Sequence, residues 1–93
     1  VAHHARTDIL PIQSAVAHAS PSAWRDGIVS AREGDALTVV LLDGSVRVLS
    51  TSIAPAPGEP VAVHPVAEVL AVGSAWYSAR ALAQPDGPAR PSA

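Results

Sequence analysis

The chain has 93 residues, of which 48% are apolar and 15% charged, with a formal net charge of −2 and no cysteine. That composition excludes a disulfide framework and a cysteine-based zinc site, and it lacks the basic footprint of a nucleic-acid binder. No apolar run of about 18 residues is present to span a bilayer, and the start Val1-Ala2-His3-His4 lacks the layout of a signal peptide.

Read in chain order, the sequence divides into an arm (1–21), a β core (22–82) and a tail (83–93). A core of roughly 60 residues is marginal alone, since it buries only about 60% of its unfolded surface. In the arm, Pro11 through Ala19 is predicted as a short helix with Pro11 in its first turn, ended by Ser20-Pro21. Val1 in place of Met suggests initiator removal or processing.

The core opens near Trp24 and is predicted to form a meander. Glu33-Gly34-Asp35 reads as a three-residue hairpin loop pairing Arg32 with Ala36, Ala31 with Leu37, Ser30 with Thr38 and Val29 with Val39. Asp43-Gly44 reads as a two-residue turn pairing Leu42 with Ser45, Leu41 with Val46, Val39 with Val48 and Leu37 with Ser50. Period-2 alternation then puts Val29, Ala31, Leu37, Val39, Leu41, Val46 and Val48 inside, and Val40, Leu42 and Leu49 outside together with Ile28. Ala54 through Pro60 is a turn-rich connection, because Pro55, Pro57 and Pro60 exclude a central strand. Val61 to His64 resumes β character. Residues 66–72 fit either a helix or a strand, since periodicity does not separate the two for a short apolar run. Gly73-Ser74 is a turn and Ala75–Leu82 a closing strand. The tail, with Pro85, Pro88 and Pro91, is expected to be disordered on its own. The fold class that follows is mainly β: a small five- or six-stranded OB-like or SH3-like barrel with an N-terminal arm and a Pro-rich C-terminal tail.

Residues that could carry chemistry read more simply as structural. His3 and His4 are adjacent near a terminus, His18 lies on the arm helix as a solvent or interface residue, and His64 fits a hydrogen-bonded position at the barrel edge; none has metal-ligand spacing. No serine sits in a nucleophile elbow. Asp26, Asp35, Asp43 and Asp86 each adjoin a glycine, which turn chemistry explains. Trp24 and Trp76 are expected to cap the ends of the barrel. Base stacking on them would need a surround of cations that the sequence does not supply.

The outer face is the more telling feature. Ile28, Val40, Leu42 and Leu49 would show water an apolar patch, and such patches mark interaction sites. Ile9, Leu10, Ile12 and Val16 of the arm are a second set of candidate contacts. Few charges guard the strand edges, which leaves strand addition or oligomer formation open.

Trp24-Arg25-Asp26-Gly27-Ile28-Val29, the hairpin from Asp35 to Gly44, Pro57-Gly58-Glu59-Pro60-Val61-Ala62-Val63 and Gly73-Ser74-Ala75-Trp76-Tyr77 together resemble small OB-like β-barrel proteins among the virion and tail components of actinobacterial phages. The resemblance covers about two thirds of the chain, and the Pro65 to Leu70 stretch departs from it. It implies a structural role in a tail or capsid without catalysis. Gly58-Glu59-Pro60-Val61-Ala62-Val63-His64 also resembles a step in small-barrel hydrogenase maturation chaperones, but those depend on a cysteine that this chain lacks.

The expectation is therefore a structural or assembly protein of a phage-like particle, not an enzyme. It would have no cofactor and no metal, and its partners would be copies of itself and neighbouring structural proteins rather than membrane or nucleic acid. Its place would be the virion or assembled particle, otherwise the cytoplasm. The alternatives are a cytoplasmic accessory subunit binding one partner protein, and a nucleic-acid-binding barrel.

Overall fold

The computed structural model describes residues 5, 6 and 8–82; His3, His4 and the Pro-rich tail lie outside them. The order is β1 (Ala5–Arg6), α1 (Pro11–Ala19), a single 3-10 turn (Pro21–Ala23), β2 (Arg25–Glu33), β3 (Ala36–Leu41), β4 (Val46–Ser50), β5 (Pro60–His64), β6 (Val69–Val72), β7 (Ala75–Ser78) and β8 (Arg80–Ala81). The strands form one sheet in the order β1-β7-β6-β5-β2-β3-β4-β8. All neighbours are antiparallel except β1 and β7.

Ala79 alone separates β7 from β8, yet β7 pairs with β6 and β8 with β4. One bent segment thus joins the two ends of the sheet and curls it into a nearly closed barrel. At the bend the Ala79 side chain turns into the core, and its N–H meets Glu68 O at 2.9 Å, continuing the β6–β7 register by one residue. The barrel is filled from every side, by Val29, Leu37, Val39, Leu41, Leu49, Val61, Val63, Leu70 and Ala79. Burying each valine or leucine contributes about 1.5–3 kcal/mol before entropy is charged against it.

Residues 66–72 resolve into a turn followed by β6. Leu70 faces the barrel interior, while Val69 lies on the outer side beneath α1. Burial on both faces explains the unbroken apolar run that hides strand periodicity.

The helix begins where expected. Pro11 occupies its first position, and Gln13 Oε1 accepts the Leu10 N–H at 2.8 Å, which is half of a capping box. Gln13 Nε2 donates to Glu68 O at 3.0 Å, to Ala67 O at 3.2 Å and to Ser78 Oγ at 3.3 Å. This one side chain therefore caps the helix and fastens it to the outside of the barrel.

The second hairpin differs from the expected register by one residue throughout, and the first does so only between its turn and a bulge. The second hairpin pairs Val40 with Val46 and Leu37 with Leu49, around a three-residue loop, Leu42-Asp43-Gly44. Asp43 Oδ1 accepts both the Ser45 N–H (2.9 Å) and the Ser45 hydroxyl (2.7 Å), and Leu41 N–H reaches Ser45 O at 2.8 Å. These bonds draw Ser45 opposite Leu41. A one-residue slip exchanges the faces of a strand, so Leu49 enters the core at 2% exposure while Val46 turns outward at 48%. Leu49 is accordingly not an outer-face residue, and Val46 and Val48 are not core.

In the first hairpin Glu33 pairs with Ala36, so the loop is only Gly34-Asp35. A bulge at Ser30 restores the pairing of Val29 with Val39. Beyond the bulge Ala31 is exposed, against its expected inward position. Arg32 takes the place opposite Leu37 and donates to the carbonyls of Thr51 (3.4 Å) and Ile53. Asp26-Gly27 is no turn: it lies within β2, with Gly27 buried.

Candidate interaction surface

The outer sides of β5, β2, β3 and β4 present the candidate surface. Cross-strand pairing sets Pro60 beside Ile28, Ile28 beside Val40 and Val40 beside Val46. All four are exposed. They form an unbroken apolar row around the barrel wall, where directly paired side chains lie about 4.5–5.5 Å apart at Cβ. Leu42 rises from the adjoining loop at 75% exposure, and its N–H donates to Asp26 O at 3.0 Å. A groove of about 390 Å³ opens beside it, between Trp24, Arg25 and Asp26 on one side and Leu41, Leu42 and Asp43 on the other.

Of the residues singled out in the sequence, Ile28, Val40 and Leu42 come together here, and Leu49 does not. Val46 and Pro60 complete the row. Their contribution was hidden in the sequence because it depends on the true hairpin register and on the pairing of β5 with β2.

The arm residues divide. Ile9 and Val16 pack inward with Trp24 and Trp76 against Ala17, Ala67 and Val69. Leu10 and Ile12 point outward at 61% and 64% exposure. Among the described residues, the arm thus folds over its own barrel on the β6–β7 side, away from the exposed apolar row of β2–β4.

Trp24 and Trp76 do not cap opposite ends. Their rings meet at 5.2 Å, with His64 edge-on to Trp24 at 5.0 Å and His18 tilted over Trp76 at 5.2 Å. The four rings seal the joint between α1 and the barrel. His64 is 0% exposed; its Nδ1 accepts the Ala67 N–H at 3.1 Å and its Nε2 donates to Ser20 O at 2.9 Å. An acceptor at Nδ1 places the proton on Nε2, so both ring nitrogens serve the fold. His18 Nδ1 donates to Ser14 O at 2.9 Å. Among the described residues no group of three or more His, Cys, Asp or Glu could hold a metal ion, and no helix is long and apolar enough to cross a membrane.

The loop that displays Leu42 depends on ionisation. The hydrogen bonds from the Ser45 hydroxyl and amide hold the Asp43 carboxyl below its ordinary pKa, and Arg25 and Arg47 add to the effect. A depressed carboxylate pKa contributes stability that is complete above the unfolded value and is lost as pH falls through the folded one. On acidification the Ser45 amide signal in NMR is therefore expected to shift with a midpoint below the usual carboxylate range. Asp43→Asn should abolish that titration; a midpoint at the usual value would refute the anchoring role.

Comparison of the chain with protein-family models, with curated proteins and with solved structures finds no match.

Proposed function

We propose that this chain is a structural module that packs against other protein chains through the outer face of β2–β4, as a tail or capsid component of a phage-like particle. The observation that carries the reading is the row Pro60–Ile28–Val40–Val46 with Leu42 beside it. A contiguous exposed apolar surface on a small domain marks an interaction site. The phage assignment rests on the sequence resemblance alone. The barrel is read as OB-like rather than SH3-like, supported by the long β2, which pairs with both β3 and β5 and so is shared between two halves of the barrel wall. No catalysis and no cofactor enter the proposal.

The test is the mass of the purified chain by light scattering over a range of concentrations, beside Leu42→Asp. The wild type is expected to associate. The variant should keep its β circular dichroism and lose at least tenfold in association, because an added carboxylate must be desolvated in the contact. Association that Leu42→Asp leaves untouched would remove this face from the proposal. A wild type that stays monomeric throughout would favour a second reading, an accessory subunit with one partner. The self-contained packing of α1 on its own barrel supports that alternative.

A further inference from the structure

A polar cleft of about 370 Å³ opens where β7 gives way to β8, a size within the roughly 300–1,000 Å³ of small-molecule sites. Its lining draws on separate stretches of chain: Asp8 after β1, Asp35 in the first hairpin turn, residues 50–52 at the end of β4, and Ser78 and Arg80 on either side of the bend. Every one of these side chains is charged or bears a hydroxyl. None belongs to the apolar row, so this site stands or falls independently of the outer face.

The fold holds these groups in place. Pairing runs Ala36–Ser50–Arg80 across β3, β4 and β8. Asp35, one residue before Ala36, is tied to this row twice: its Oδ2 accepts the Ser50 hydroxyl at 3.1 Å, and its carbonyl accepts the Thr51 N–H at 3.1 Å. Asp8 comes from a different wall, where its Oδ1 accepts the Ser78 N–H at 2.7 Å. Arg80 lines the same cleft, and its guanidinium has no ion pair or hydrogen bond among the described residues. Thr51 is the most buried of the set, at 5% exposure, yet its hydroxyl finds no partner among the described residues. An unpaired buried hydroxyl costs stability, and native proteins carry few.

We infer that this cleft binds a small zwitterion of the free amino-acid class, with its carboxylate on Arg80 and its ammonium against the aspartates. The charges decide the class. A metal ion or a simple amine would leave Arg80 unanswered, and a carboxylate or phosphate alone would meet Asp8 and Asp35. A neutral polyol would desolvate all three ionised groups without supplying a counter-charge. A molecule with both signs on neighbouring atoms answers all of them. The guanidinium fork matches a carboxylate, and the hydroxyls at 50–52 and 78 serve as donors or acceptors for the rest of the ligand. Thr51 gains the partner that the fold denies it.

The test is an NMR titration of the full chain with free serine and free glutamine, read at the amides of Ser50, Thr51, Ser78 and Arg80. At least one of the two should shift these signals saturably in the millimolar range. Ethanolamine, which lacks the carboxylate, lactate, which lacks the ammonium, and glycerol, which lacks both, should each bind at least tenfold more weakly. Asp35→Asn keeps an acceptor for the Ser50 hydroxyl, and Arg80 is exposed, so Asp35→Asn and Arg80→Gln should fold as the wild type does by circular dichroism. Each should weaken binding at least tenfold. Thr51→Val, the same shape without the hydroxyl, should raise the urea midpoint of the free chain while weakening the ligand. No saturable shift with either amino acid overturns the inference, as does equal binding of ethanolamine, lactate or glycerol, or full affinity in a folded Asp35→Asn or Arg80→Gln chain. A Thr51→Val chain less stable than the wild type also overturns it, because the hydroxyl would then already be satisfied within the fold.

Discussion

Replacing His64 with alanine is expected to remove about 4 kcal/mol of folding stability, the sum of a cavity and of lost hydrogen bonds. The ring is fully buried between Ser20 O and the Ala67 N–H and meets the edge of Trp24. Ser20 O keeps a second bond, from the Ala23 N–H at 3.0 Å, so the Ala67 amide bears most of the unpaired cost. His64→Phe separates the two contributions. It retains a ring against Trp24 but offers no acceptor to Ala67, and should cost about 2 kcal/mol. Total stabilities of single domains lie between about 5 and 15 kcal/mol, with small ones at the low end. The alanine variant should accordingly sit near its unfolding midpoint in water, and urea titration followed by tryptophan fluorescence reads both values. Equal losses for Ala and Phe would mean that the hydrogen bonds carry the whole effect; a neutral Phe variant would mean that they carry none.

Gly27→Ala is the second large effect, and backbone conformation does not cause it. A Cβ at this position would lie 2.8 Å from Val40 O, 2.8 Å from Val39 Cγ1 and 2.9 Å from Leu41 Cδ2. The two side-chain atoms can yield, but Val40 O belongs to the strand paired with β2 and moves only if the barrel wall moves. Overpacking of this kind typically costs about 1–3 kcal/mol, and the backbone clash puts Gly27→Ala at the upper end. Gly34→Ala is the control. Nothing lies within 4 Å of its Cβ, but its φ of +61° is disfavoured for a side chain by about 1 kcal/mol. Thermal melts of the two variants should differ clearly, with Gly27→Ala the lower; a reversed order would show that the wall adjusts more readily than the turn.

The two glycines show where a linear reading reaches its limit. Gly34 and Gly44 stand among turn-forming neighbours, and both are turns in the structure. Asp26-Gly27 looks the same in sequence, yet its glycine answers to a strand that approaches only after the barrel curls. The faces of β4 show a second limit. In Val46-Arg47-Val48-Leu49-Ser50 apolar residues occupy both parities, so alternation alone does not choose a face. The choice falls to the loop, where the Asp43–Ser45 bonds favour three residues over two. β3 was legible without such help, since Leu37, Val39 and Leu41 share one parity and all three are buried. So was α1, whose start and stop are set by local capping chemistry. The joining of Trp24, Trp76, His18 and His64 in one cluster, by contrast, requires the helix to be docked, and no local pattern encodes that. The candidate surface was half legible for the same reasons: Ile28, Val40 and Leu42 follow from alternation, while Val46 and Pro60 need the register.

The bent segment that closes the barrel also bears on how the chain reaches this structure. Within the ring, β2-β3-β4 and β5-β6-β7 are each runs of adjacent hairpins, and two pairings join them across long stretches of sequence. The β2–β5 joint has four residue pairs, whereas the β4–β8 seam has two, Leu49 with Ala81 and Ser50 with Arg80, beside the Leu82 N–H to Val48 O bond. Local hairpins form fast and distant pairings slowly, so each half can take shape before the two meet. The halves behave as a clamshell hinged along β2–β5 and latched at the seam, and transient opening of the native barrel would start at the latch.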